Sequence, residues 1–166
     1  MKNIPGGHNL FFSDKETANV IENLYSKFKL LLTKQDEVSS KSLLTQLKNI
    51  DRHLEARDSR FLTGNTMCCF DCELMPRLQH IRVAGKYFVN FEVPDSFNYL
   101  WKYMRNMYLL DAFVQSCPAD QDIINHYKLQ IGAPGSGTAN GGSIRKRGHE
   151  ELETPTYTMT IPSSVQ

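Results

Sequence analysis

The 166-residue chain is short of several features that would assign it a function at once. Its apolar runs are brief, such as Leu30-Leu31-Leu32 and Tyr108-Leu109-Leu110, against the roughly 20 residues that span a bilayer. Met1 to Asn9 hold no apolar secretion signal, so an intracellular protein is expected. No charge of one sign dominates. Lys+Arg number 19 and Asp+Glu 18, a net charge of +1, and a general nucleic-acid binder would show a clear basic excess. The histidines His8, His53, His80, His126 and His149 form no H-E-x-x-H, and no glycine-rich loop opens a helix, so those metalloprotease and nucleotide motifs are missing. Four cysteines, Cys68, Cys69, Cys72 and Cys117, are too few for a disulfide framework in an unsecreted chain of this size. No internal repeat is visible.

Apolar residues make up 40 % and charged residues 22 %, enough to bury a core. The composition shifts after Gln130: positions 131–143 hold five of the ten glycines, and a Thr/Pro-rich end follows. The expected organisation is a linker over 1–12, a helical domain over 13–130 and a flexible tail over 131–166.

Apolar spacing predicts helices throughout the domain. Ser13 and Glu16 form a capping-box pattern ahead of Val20, Ile21, Leu24, Phe28 and Leu31. A second helix is expected after Ser39-Ser40, with Leu43, Leu47, Ile50 and Leu54 on one face. A turn at Gly64-Asn65 leads to a third, Cys69 to Ala84, kinked at Pro76 and stopped at Gly85. Pro94 fits the first turn of a fourth, with Phe97, Leu100, Trp101, Met104 and Tyr108 on its apolar face. Cys117-Pro118 breaks the chain before a last helix, Asp120 to Leu129. Tyr87 to Val93 alternates like a strand but lacks a partner. The predicted class is all-α.

Chemistry is sparse. Cys69-Phe70-Asp71-Cys72 is a C-x-x-C at a helix start, where a thiol pKa can fall, so Cys69 and Cys72 are candidate redox thiols. No strand precedes them, and the competing reading is small buried hydrophobes. Zinc is not expected, because there is one C-x-x-C and His80 lies on another helix face. The Met104, Met107, Tyr99, Trp101, Tyr103 and Tyr108 group reads as helix packing. Pattern alone predicts no catalytic residue and no metal.

Three stretches carry a resemblance. Phe61 to His80, Gly85 to Pro94 and Phe113 to Asp122 closely resemble the chloride intracellular channel family, in its invertebrate, nematode-type form, with Gly64, Asp71, Pro76, Pro94 and Cys117-Pro118 as the marked positions. Such proteins resemble glutathione S-transferases, with a thioredoxin-like N-terminal domain ahead of a helical one. The resemblance here covers Ile4 to Leu129 and implies the C-terminal helical bundle, with the thioredoxin-like domain absent.

That implies chloride transport, cytoplasmic location and membrane association, with the membrane-inserting and glutathione-binding parts in the other domain. No cofactor is then expected in this chain, glutathione being a ligand only of a complete protein. A protein partner or self-association through an exposed helical face around Val20, Leu24 and Phe28 is expected; nucleic acid is not. Two other readings stay open, a glutathione-dependent oxidoreductase or transferase and a stand-alone interaction module. Glutathione-transferase-like domains also place Ser or Thr at the N-cap of the third helix and Asp three residues on. Aligned on Asp71, the N-cap here is Cys68, whose sulfur is a weak acceptor. That capping box predicts a loss of about 1–2 kcal/mol in Asp71→Ala.

Overall fold

A computed structural model of the chain describes residues 14–131 and 154–165. The expected linker, Ser13 and most of the expected tail lie outside the described residues. Among the described residues eight α-helices follow one another: α1 (Lys15–Ile21), α2 (Leu24–Lys34), α3 (Glu37–Arg57), α4 (Cys69–His80), α5 (Lys86–Val89), α6 (Asn98–Tyr108), α7 (Asp111–Ser116) and α8 (Asp120–Ile131). They contain no strand, only an isolated bridge between Phe61 and Gly64.

The long helix α3 is the centre. Asp36 caps it by accepting the Ser39 amide at 2.7 Å, and Asp58 closes it in the left-handed region at φ 40°. Leu43, Leu47, Ile50 and Leu54 recur every three or four residues and are all buried. This row packs against α1, α2 and α6, and each such side chain contributes about 1.5–3 kcal/mol of transfer free energy. Helix α6 starts without a cap of its own, since Phe97 cannot accept a hydrogen bond through its side chain. The Asp51 carboxylate of α3 takes the Leu100 amide instead, at 2.8 Å. In the same C-terminal part of α3, Thr17 Oγ1 meets the buried His53 Nε2 at 3.0 Å, and Arg57 bridges Asp14 at 2.7 Å and Glu16 at 3.1 Å.

Several boundaries differ from the sequence reading, each for a local reason. The expected first helix is two, because the chain breaks at Glu22-Asn23 while the apolar spacing runs on. Its cap is Asp14, accepting the Glu16 and Thr17 amides at 3.0 and 3.2 Å. The second helix begins at Glu37, with Ser39 and Ser40 inside its first turn. Gly85 does not stop the third. Helix α4 passes through Pro76 and widens into a π-helical segment, Ile81–Gly85, which feeds α5; the turn closes at Asn90, φ 51°. A Cβ on Gly85 would stand 3.5 Å from Phe91, so this glycine serves close packing rather than a left-handed cap.

The strand-like Tyr87 to Val93 is therefore α5 followed by an extended link. Pro94 stands before α6, its carbonyl accepting the Trp101 Nε1–H at 3.0 Å. Of the face expected to be exposed, Leu24 and Phe28 are fully buried and Val20 is half-buried, while neighbouring Leu30 is exposed.

The largest correction concerns the tail. Residues 154–162 run extended against α4, the π segment and α8, and Ser163–Val165 form a short 3-10 turn. Ile161 and Val165 pack on the core. Threonines that look tail-like in composition find fixed partners on the helices, which the composition could not show.

Candidate functional site

The start of α4 gathers the residues singled out in the sequence. Cys68 is the N-cap, in an extended conformation at φ −127°, and with Asp71 it has capping-box geometry. The strong half belongs to Asp71. Its carboxylate is completely buried and accepts two amides, Cys68 N–H at 2.8 Å and Leu62 N–H at 3.1 Å. The Leu62 bond ties the preceding turn to the helix. Gly64, at φ 157°, closes that turn, where the Phe61 amide donates to its carbonyl at 2.8 Å. The Tyr103 hydroxyl of α6 is buried near the carboxylate, outside hydrogen-bonding geometry, and burial followed by the Asp71 charge holds its pKa well above the usual value.

The cysteines differ in burial. Cys68 is buried, Cys69 half-buried, Cys72 exposed and Cys117 half-buried, and all four are thiols rather than disulfides. Burial pushes the Cys68 thiol up, partial desolvation of the sulfur does the same at the otherwise exposed Cys72, and the charge of Asp71 adds to it in both. Burial and then Asp120 do the same to Cys117. A thiol shifted upward holds its proton at neutral pH, the opposite of what thiol–disulfide chemistry needs. Pro76, inside α4, has no amide for the Cys72 carbonyl. Cys117 ends α7 with extended geometry, as its position before Pro118 requires. The structure thus brings Gly64, Cys68 and Asp71 into one cap and leaves Pro94 and Cys117-Pro118 as separate joints. Among the described residues no three His, Cys, Asp or Glu are grouped to hold a metal.

A second site escaped the sequence reading. Gln79 of α4, Arg82 of the π segment, and Asp120 and Gln121 of α8 converge on the extended segment 154–160. Arg82 is fixed from behind: its guanidinium lies 4.9 Å from the Trp101 ring and donates to the Tyr108 hydroxyl at 2.5 Å. Burial pushes Tyr108 up to about 12 against the pull of Arg82, so it stays a neutral donor to Gln79 Oε1 at 2.7 Å. A groove of about 370 Å3 lies alongside, lined by Arg82, Trp101, Thr158 and Ile161 among others. The only local signal for this site is the alternation Thr154, Thr156, Thr158, Thr160.

No family model matches the chain. Individual proteins do. The Drosophila melanogaster protein named chloride intracellular channel Clic is 63 % identical over 165 residues, covering 99 % of this chain and 59 % of the relative. Chloride intracellular channel exc-4 of Caenorhabditis elegans is 40 % identical over 175 residues, 94 % of this chain and 57 % of the relative. The crystal structure of that CLIC homologue, EXC-4, superposes with a TM-score of 0.79 at 42 % identity, covering 94 % of this chain and 60 % of that one. A Chlamydomonas reinhardtii dehydroascorbate reductase shares the fold at TM-score 0.65 and 23 % identity, over 75 % of this chain and 59 % of that one.

The class is accordingly a glutathione-transferase-like helical fold. By sequence the chain is similar to chloride intracellular channel proteins over nearly its whole length. It spans a little under three-fifths of the length of these two curated relatives.

Proposed function

We propose that this chain serves chloride transport as the helical docking part of a chloride intracellular channel protein. In this reading the protein is cytoplasmic with a membrane-associated state, and membrane insertion and glutathione binding belong to a thioredoxin-like part. The 63 % identity across nearly the whole chain to a protein named as such a channel carries the reading. Among the described residues no helix is long and apolar enough to cross a membrane, which supports assigning insertion elsewhere. The raised Cys68 and Cys72 thiols count against the oxidoreductase alternative. Self-association through the α1–α2 face is not part of this reading, since Leu24 and Phe28 are buried.

Chloride efflux from loaded vesicles tests the division of labour. Purified 1–166 should release no more chloride than empty vesicles. The same chain joined behind the N-terminal part of the Drosophila relative should release it. Efflux from 1–166 alone would overturn the division, and efflux from neither would overturn the transport reading.

A further inference from the structure

The contacts of residues 154–160 resemble those of a bound peptide more than those of a packed tail. Its backbone is read by side chains of the helical unit. Gln121 Nε2 donates to the Thr154 carbonyl at 3.1 Å, and Gln121 Oε1 accepts the Thr156 amide at 3.1 Å. Gln79 Nε2 donates to the Thr158 carbonyl at 2.8 Å. Arg82 donates to the carbonyls of Thr158 and Thr160 at 3.3 and 2.6 Å. The Asp120 amide adds a bond to the Thr156 carbonyl at 2.8 Å.

One group selects side chains. The Asp120 carboxylate accepts the Thr158 hydroxyl at 2.7 Å, the Thr158 amide at 3.1 Å and, at 3.4 Å, the Thr156 hydroxyl. Ile161 then supplies an aliphatic anchor against the core. Main-chain bonds that give affinity, with alternate side chains giving specificity, are the physics of extended-peptide recognition. The readers are also held in place by groups other than the segment, Arg82 by Trp101 and Tyr108, and Gln79 by Tyr108. Such preorganisation lowers the ordering cost of binding.

The connection leaves room for exchange. Ile131 and Thr154 are separated by the 22 residues 132–153, a length that reaches at most about 75 Å. A covalent tether of that kind favours the local occupant by raising its effective concentration without altering the site.

We propose that Gln79, Arg82, Asp120 and Gln121 form a binding site for an extended peptide with hydroxyls two residues apart and an aliphatic residue beyond them. Residues 154–165 occupy it in cis, and a free peptide of that sequence competes for it. Asp120 makes the site selective for neutral hydroxyl donors. A phosphate ester on Thr158 sets a dianion against that carboxylate and is rejected.

The test keeps the full chain but inserts a specific protease site after Gly142, so that cleavage leaves 154–166 held only by these contacts. Gel filtration should find the cut segment still with the helical unit. A labelled synthetic 154–166 peptide should displace it, read by anisotropy. Asp120→Asn, with unchanged helicity, should weaken peptide binding about tenfold or more, the effect of losing hydrogen bonds to a charged acceptor. The peptide phosphorylated at Thr158 should fail to compete at about a hundredfold higher concentration, as like charges in contact require. A cut segment that separates at once, or equal binding by Asp120→Asn and by the phosphopeptide, would overturn the proposal.

Discussion

Two of the aspartates at helix starts in this fold, Asp71 and Asp120, do different work. Asp71, in the first turn of α4, points inward and is sealed from solvent, taking amides from Cys68 and Leu62, three and nine residues away. Asp120, first in α8, points outward and takes groups from a segment 38 residues further along. Both use the same charge-assisted bonds and the same favourable end of a helix dipole. They differ in what is lost when the carboxylate goes. Around Asp71 the orphaned amides have no water to turn to; around Asp120 the freed segment can leave and be hydrated. A buried carboxylate of this kind fixes a fold, and a half-exposed one can govern an attachment.

The sharpest way to break the distinction is to remove both. Asp71→Ala should cost about 3 kcal/mol or more, since two buried amides go unsatisfied. That exceeds the capping-box expectation because the Leu62 bond adds to it. Asp120→Ala should cost about 1 kcal/mol, because its partners are hydrated on release. Urea melts measure both, and equal midpoint losses would break the comparison.

Titration sharpens it next. Burial, and then Arg57, lowers the pKa of His53 below its usual 6.5, against the opposite pull of Glu16 and Asp14. Burial, and then His126, lowers that of His80. Both are more readily protonated in the unfolded chain, so their contribution is complete above about pH 6.5 and is lost as the pH falls below it. The side chains that hold 154–160 include no histidine, so release of that segment should not follow the same midpoint. Urea midpoints from pH 8 to 5 check the sign, and His53→Gln should flatten part of the slope. The smallest effect is expected at the cap itself: Cys68→Ser replaces a weak acceptor and should stabilise by up to about 1 kcal/mol in the same melts.

The two aspartates also mark how far the sequence could be read. The helices of the core were legible because Leu43, Leu47, Ile50 and Leu54 repeat at helical spacing and all face inward. The α4 cap was legible through resemblance, its partners being neighbours in the chain. Breaks were not, where two helices share one apolar stripe, as across Glu22-Asn23. Gly85 misled because glycine serves both as a left-handed cap and as a place for close approach, and only the packing of Phe91 distinguishes them. The Asp120 site was invisible for a different reason. Its partners lie between 33 and 79 residues apart, and the alternation of threonines does not say which distant side chains they meet.

The π-helical segment Ile81–Gly85 has a consequence for how this chain can tolerate change in length. An α-helix turns about 100° per residue, and a π turn accommodates one residue more than the regular spiral. The segment is thus a single-residue frameshift held in three dimensions, with Arg82 aimed at 158–160 on one side of it and Gly85 seated against Phe91 on the other. Deleting one residue there would give a more regular helix and swing everything beyond it through about that angle. Regularity and correct placement are opposed at this point, and the fold keeps placement.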